Sequence, residues 1–281
     1  MKLASRIIAL VTCIFLLVPS LASASNVHSK ASTRTKAYTQ EELEARFNQI
    51  HAILQEVHEK LVTEDEAIKE LAKINVVPEK GTNTAKKNGE NIIALSNPEY
   101  AISLPTLFTF KDEQTGYWYA GAHFFWEDRA YWQADFPSPW PGAPNYGVAI
   151  GGSDGFGIVF SQPINRVTQS FDVYDYYGNR TSYSYPSKAS QYGVGFTEQD
   201  YGIKSSDGSF NYDWDSGYMG IYFSPQYPGQ QMSAWQEMAH TWASTSVYIN
   251  GISYIGISWQ FNTTSNEWTA VAPLAHVFTP D

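Results

Sequence analysis

The sequence predicts a mainly β protein: an antiparallel β-sandwich or jelly-roll-like domain preceded by a short α-helical segment. Three observations carry this expectation. After residue 98 the chain alternates apolar and polar side chains with period two, in short runs separated by Gly and Pro. No long amphipathic helix falls between those runs, so the crossovers that parallel strands need are missing. Before residue 78 the apolar residues recur instead with a helical period.

Composition narrows the field. The 281 residues include 15 Phe, 9 Trp and 19 Tyr, and the net charge is -10. So aromatic a chain is not disordered over most of its length. So acidic a chain does not fit a polyanion binder, which needs clustered Lys and Arg. Cys13 is the only cysteine, which excludes a disulfide scaffold. By length the chain holds one or two domains.

Residues 1–24 read as a secretory signal peptide. Lys2 and Arg6 precede an apolar run from Ile7 to Val18, and Ala22-Ser23-Ala24 forms an A-x-A cleavage site before Ser25. The run is shorter than the roughly 20 residues of a membrane-spanning helix. Thr12 before Cys13 argues against lipidation. Cleavage leaves a chain without cysteine, which suits export from a Gram-positive bacterium. The expectation is a secreted, extracellular protein, free or held non-covalently at the cell surface, with no transmembrane segment in the mature chain.

Residues 25–38 are rich in Ser, Thr and Lys and read as a flexible tail. Over 39–77 two helices follow. Thr39 with Glu42, and Thr63 with Glu66, form capping boxes that satisfy free N–H groups at a helix start. Leu43, Phe47, Ile50, Leu54, Val57 and Leu61 make an apolar seam, and Ala67, Ile68, Leu71 and Ile74 continue it in the second helix. This predicts a helical hairpin packed on itself or on the neighbouring domain. The other reading is a short coiled coil giving self-association through residues 40–61. His51 and His58 lie seven residues apart on one helix face and read as solvated. Residues 78–97, with Lys80, Gly81, Asn83, Lys86, Lys87, Asn88 and Gly89, read as a polar linker.

Residues 98–281 form the aromatic-rich β-domain. They hold six Lys or Arg against 17 Asp or Glu, a net of -11, and all nine Trp. In 117–126 Trp118, Ala120, Ala122, Phe124 and Trp126 point one way, and Tyr117, Tyr119, Gly121, His123 and Phe125 the other. Glu127-Asp128-Arg129 reads as a turn. Ala130, Trp132, Ala134 and Phe136 then oppose Tyr131, Gln133 and Asp135, completing a hairpin with one apolar and one tyrosine-rich face. The same division recurs at 171–176, 218–223 and 254–261.

Candidate chemistry follows from the outward side. Sugars stack their C–H faces on aromatic rings while amides and carboxylates bond their hydroxyls. Tyr117, Tyr119, Tyr131, Gln133 and Asp135 on one face supply those groups, and Trp140 in a Pro-rich loop is a separate stacking candidate. The Gly151-Gly152-Ser153-Asp154-Gly155 turn entering an apolar strand resembles the sugar-binding loop of legume-type lectins. That resemblance implies a sugar-accepting role for Asp154. The carboxylate-rich metal segment that family carries downstream has no counterpart, since no Glu precedes Phe171-Asp172-Val173-Tyr174. The same loop and strand, with Tyr201-Gly202-Ile203-Lys204-Ser205, resembles segments of small pore-forming cytolysins, which are β-sandwiches with an N-terminal amphipathic helix. The charge of -11 opposes binding to anionic lipid.

Glu237, among Trp235, Met238 and Trp242, is the best candidate for an acid in glycosidic cleavage, with Glu127, Asp172 or Glu198 as the second carboxylate. Asp213 and Asp215, two residues apart, could share a structural Ca2+, the one cofactor the sequence suggests; solvated acids are the plainer reading. The β-domain holds three histidines, His123, His240 and His276, without a G-x-S-x-G elbow or an H-E-x-x-H motif. Taken together, the residues predict non-catalytic binding of an extracellular glycan or cell-wall polymer. The alternatives are a polysaccharide hydrolase using Glu237 and a cytolysin-like toxin.

Overall fold

A computed structural model describes residues 37–79, 81–85, 102–263 and 266–281. The expected signal peptide, nearly all of the tail and most of the 78–97 linker lie outside the described residues. Tyr38–Asp281 form one unit built in four layers: helices, sheet, sheet and hairpin.

The first sheet runs β1 (Val76–Pro78), β4 (Phe108–Asp112), β5 (Tyr117–Trp126), β12 (Ser216–Pro225), β7 (Ile164–Tyr174) and β8 (Arg180–Tyr183), with the short β3 (Ile102–Ser103) also on β5. The second runs β11 (Phe210–Tyr212), β10 (Gly193–Lys204), β6 (Gly147–Phe160), β13 (Met232–Thr241), β17 (Leu274–Phe278) and β2 (Thr82–Ala85). On it β16 (Glu267–Val271) pairs with β13, and β9 (Lys188–Ser190) pairs with β10. Every pairing is antiparallel, so this is an antiparallel β-sandwich. Period two decides what lies between the sheets. Trp118, Ala120, Ala122 and Phe124 of β5 and Met219, Ile221 and Phe223 of β12 meet Phe156, Ile158 and Phe160 of β6 in the central core.

The outer face of the first sheet is not wet. Helices α1 (Gln40–His58) and α2 (Glu64–Lys73) cover it. Both capping boxes are formed, with Glu42 N donating to Thr39 Oγ1 at 3.2 Å and Thr39 N to Glu42 Oε2 at 2.9 Å. Leu43, Phe47, Ile50 and Leu54 of the seam are buried with Leu71 against Phe110, Tyr119, Tyr174, Tyr218 and Tyr222. The seam therefore meets the chain's own sheet, while Leu61 stays exposed. Arg46 clamps this layer: its Nε and Nη2 donate to both oxygens of Asp112, at 2.8 and 2.9 Å. His51 and His58, expected at the surface, are buried here, because α1 turns its sheet-facing side to a wall of tyrosine rings.

The outer face of the second sheet is covered by a separate hairpin, β14 (Val247–Ser253) with β15 (Gly256–Phe261). It seats Ile249 and Ile257 where the sheet has no side chain. A Cβ at Gly195 would lie 2.4 Å from Ile249 Cδ1, and one at Gly157 2.5 Å from Ile257 Cδ1. Glycine is needed there for close approach.

The strand expected over 130–136 is instead a short helix, α3 (Arg129–Gln133), N-capped by Asp128, whose Oδ1 accepts from Ala130 N at 2.8 Å. The partners of β5 are β4 and β12. Trp132 and Phe136, four residues apart, bring their rings to 5.3 Å around a helical turn, so their period-two spacing also satisfies a helix.

Candidate functional site at one end of the sandwich

β13 places Ala234 and Met238 inward, and His240 follows with the same parity into the end of the core. β6 does the same with Asp154, which shares the parity of Phe156 and Ile158, so its side chain enters the sandwich rather than projecting from a loop. His240 Nδ1 meets Asp154 Oδ2 at 2.6 Å, and its Nε2 meets Asp135 Oδ2 at 2.9 Å. The other Asp154 oxygen accepts from Thr241 N at 2.8 Å. Tyr212 of β11 donates from its hydroxyl to Asp200 Oδ2 at 2.9 Å and to Asp154 Oδ2 at 3.2 Å. Trp126, Trp242 and Trp268 surround the imidazole at ring distances of 5.0, 6.0 and 5.2 Å.

Burial and charge compete in this cluster. Burial opposes a charged imidazole, but Asp154 and Asp135 outweigh it and hold the His240 pKa well above its ordinary value. Asp200 is pushed well above the usual carboxylate range, by burial first and then by the charge of Asp154. Burial lifts Asp213 to about 7 against the backbone N–H of Tyr201 that bonds it. The arrangement is a protonated His240 held between two carboxylates, with the neutral acid of Asp200 behind it. Both imidazole nitrogens are engaged, so His240 holds Asp135 in place and has no free nitrogen to act as a base.

Through Asp135 this cluster fixes the outer surface of the sandwich end. Asp135 lies just after α3, which carries Tyr131 at 42% exposure. Arg129 on the same helix donates from Nη2 to Phe210 O at 2.9 Å and lays its guanidinium 4.1 Å over the Tyr176 ring. Tyr177 packs edge-on against Tyr176 at 5.4 Å and is 59% exposed. The turn beneath these rings is tied by Asp175, whose Oδ1 accepts from Tyr177 N and Asn179 N at 2.9 and 2.8 Å. The Pro-rich loop hooks on beside them, with Asn145 N donating to Lys204 O at 2.8 Å and Tyr146 exposed next to it.

The other residues predicted from sequence fall elsewhere or play different parts. Tyr119 is fully buried beneath α1, its hydroxyl 2.6 Å from that of Tyr218, and Tyr117 is half-buried on the Tyr222 ring at 5.4 Å. The expected open tyrosine face of β5 is thus a correction: α1 occupies it. Gln133 is half-buried on α3, and Asp135 spends its carboxylate on His240. Trp140 is half-buried against Phe136 and Phe210, at 5.6 and 5.9 Å, so it plugs the sandwich end. Asp154 is also corrected, being wholly buried and bonded to His240. Glu237 is buried under the β14–β15 hairpin, accepting from Trp235 Nε1 at 2.7 Å and Ile257 N at 3.1 Å. Asp213 and Asp215 serve separate donors, Tyr201 N at 2.7 Å and Trp132 Nε1 at 2.9 Å. Among the described residues no group of three or more His, Cys, Asp or Glu is placed to hold a metal ion.

Sequence reasoning passed over His240, Asp200, Tyr212, Arg129, Tyr176 and Tyr177. His240 had a signal, its inward parity in an apolar strand; the others come together only through tertiary pairing. No family model and no curated protein sequence matches the chain.

Proposed function

We propose that this is a secreted, non-catalytic binding protein that recognises an extracellular glycan or cell-wall polymer through the tyrosine-rich end of its sandwich. The observation that carries the reading is the exposed ring of Tyr176 beneath the guanidinium of Arg129, with Tyr177 edge-on beside it and Tyr131 exposed on the same short helix as Arg129, which Asp135 and His240 anchor at its end. Rigid, amphipathic rings with hydrogen-bonding groups beside them suit the C–H faces and hydroxyls of a sugar, and fixing them beforehand lowers the ordering cost of binding. The net charge of -10 favours a neutral polymer over a polyanion. Secretion is supported by the sequence of residues 1–24.

The test mixes the protein with insoluble peptidoglycan, chitin, cellulose and xylan, then measures its depletion from the supernatant and any soluble sugar released. Selective depletion without release is expected, falling about fivefold or more in a folded Tyr176→Ala/Tyr177→Ala variant, since two stacked rings at about 0.5–1.5 kcal/mol each come to about 1–3 kcal/mol. No depletion by any of these polymers overturns the reading for them. Sugar release that vanishes in Glu237→Gln overturns it in favour of a hydrolase.

A further inference from the structure

The helical layer is separable from the sandwich. The central core between the sheets takes no residue from α1 or α2. What joins them is one interface, where α1 lies on the outward side chains of β5, β7 and β12. Its two halves are held differently. The N-terminal half carries the Arg46–Asp112 pair, which Tyr222 and Thr115 also bond, at 2.6 and 2.8 Å to Asp112 Oδ2. The C-terminal half carries His51 and His58. His51 spans Tyr119 Oη and Asp172 Oδ2 at 2.8 Å each, and enters where β12 has Gly220, whose added Cβ would lie 2.5 Å from His51 Nδ1.

His58, the last residue of α1, has no such partners. It is 6% exposed and neither ring nitrogen has a hydrogen-bond partner. Its ring lies between Phe125 at 4.8 Å and Tyr174 at 4.7 Å, with the His123 ring 6.0 Å away. A protonated imidazole in this slot is a desolvated cation without an acceptor. The charged groups around it do not rescue it. Lys60 adds positive charge, and the Asp172 carboxylate is already taken by His51 Nε2 and the Ser182 hydroxyl. Glu59 accepts from Gln55 Nε2 at 2.7 Å, and the remaining neighbours, Tyr174 and Tyr218, are neutral phenols.

We propose that α1 is an acid-released cover, whose C-terminal half leaves the sheet as His58 and His123 take up protons, uncovering the aromatic face of β5, β7 and β12 while the sandwich stays folded. The inference stands independently of glycan binding. Burial holds His58 down at about 3 and His123 at about 4 when docked, against 6.5 when released. The released form therefore binds protons that the docked form refuses, and docking is weakened as pH falls below 6.5. Each histidine contributes about tenfold per pH unit, so the pair contributes about a hundredfold per unit down to about pH 4. The Arg46–Asp112 pair persists to lower pH: burial works against the Asp112 charge, but bonds from Arg46, Tyr222 and Thr115 hold its pKa below the ordinary value.

Hydrogen exchange on the full chain at pH 7.0 and 4.5, corrected for intrinsic rates, tests this. The expected result is protection in residues 50–58 reduced by about 10³-fold or more, with β6 and β13 retaining theirs. His58→Phe/His123→Phe should keep that protection at pH 4.5. Titration of the histidine Cε1–H signals in the unsubstituted protein gives an answer even if the variant does not fold, since His58 and His123 should titrate below 5. The proposal is overturned if α1 stays protected at pH 4.5, if α1 and sandwich lose protection together, if a folded double variant releases α1 as before, or if His58 titrates near 6.5.

Discussion

Two buried histidine sites in this molecule respond to protons in opposite ways. His240, at the sandwich end, lies between Asp135 and Asp154; His58, under α1, lies between Phe125 and Tyr174. Both are nearly inaccessible to water. Burial alone pushes each toward the neutral form, and in the second site the charge of Asp172 is too weak to reverse it. In the first, two carboxylates reverse the sign. Depth in the fold is the same, and the neighbours decide the charge. The consequence for stability differs accordingly. The His58 site favours docking at neutral pH and opposes it in acid, whereas the His240 site holds the sandwich end together while its proton is retained.

The contrast is broken most severely at His240. His240→Phe leaves Asp135 and Asp154 facing each other without a cation, and should lower the unfolding free energy by about 3–5 kcal/mol, read from the urea midpoint. A loss under about 1 kcal/mol would mean that the carboxyls are held by one another and by Tyr212 instead. The pH profile sharpens the same point. A folded pKa raised above 6.5 gives stabilisation that is complete below 6.5 and is lost as pH rises through the folded value. Tm should therefore fall on the alkaline side in the native protein, and that slope should flatten in His240→Phe.

On the helical side the effects are smaller and local. Phe47→Ala removes a ring from the buried seam and should cost about 3 kcal/mol of α1 docking. Exchange protection should fall in α1 and remain in β6. Thr39→Ala breaks the first capping box and should cost about 1 kcal/mol, visible as faster exchange in the first turn of α1. The smallest effect belongs to Tyr177→Ala. As an exposed ring it should change stability by less than about 0.5 kcal/mol, so any loss of polymer binding there reports on recognition and not on folding.

Much of this architecture was legible in the residues. Both capping boxes stand where Thr39 and Thr63 put them, and period two placed Trp118 to Phe124, Phe171, Val173 and Met219 to Phe223 on the core side of their strands. What failed was the meaning of the other side. Tyr119, Tyr174 and Tyr218 alternate out of the core as expected, but only tertiary structure shows that a helix lies over them. A strand pattern states which face a side chain takes and not what covers that face. The candidate site was less legible, for the same reason. The glycines before Asp154 suggest a loop acid, yet Gly151-Gly152 belongs to β6 itself and the strand carries Asp154 inward. Tyr176 and Tyr177 are separated from Arg129 in sequence by the whole of β6 and β7, and no local pattern joins them.

The way the sheets close bears on the life history of the molecule. β2, near the start of the described chain, pairs with β17 at its end, and β1, only a few residues before β2, belongs to the opposite sheet. The sandwich thus becomes complete only when the last strand arrives beside one of the first. Contacts so distant along the chain slow folding, and they also mean that neither end strand can leave its sheet without breaking a pairing with the far end of the chain. With no cysteine after residue 13, no disulfide can staple the sheets, and the pairing of β2 with β17 ties the two ends of the sandwich through backbone hydrogen bonds instead.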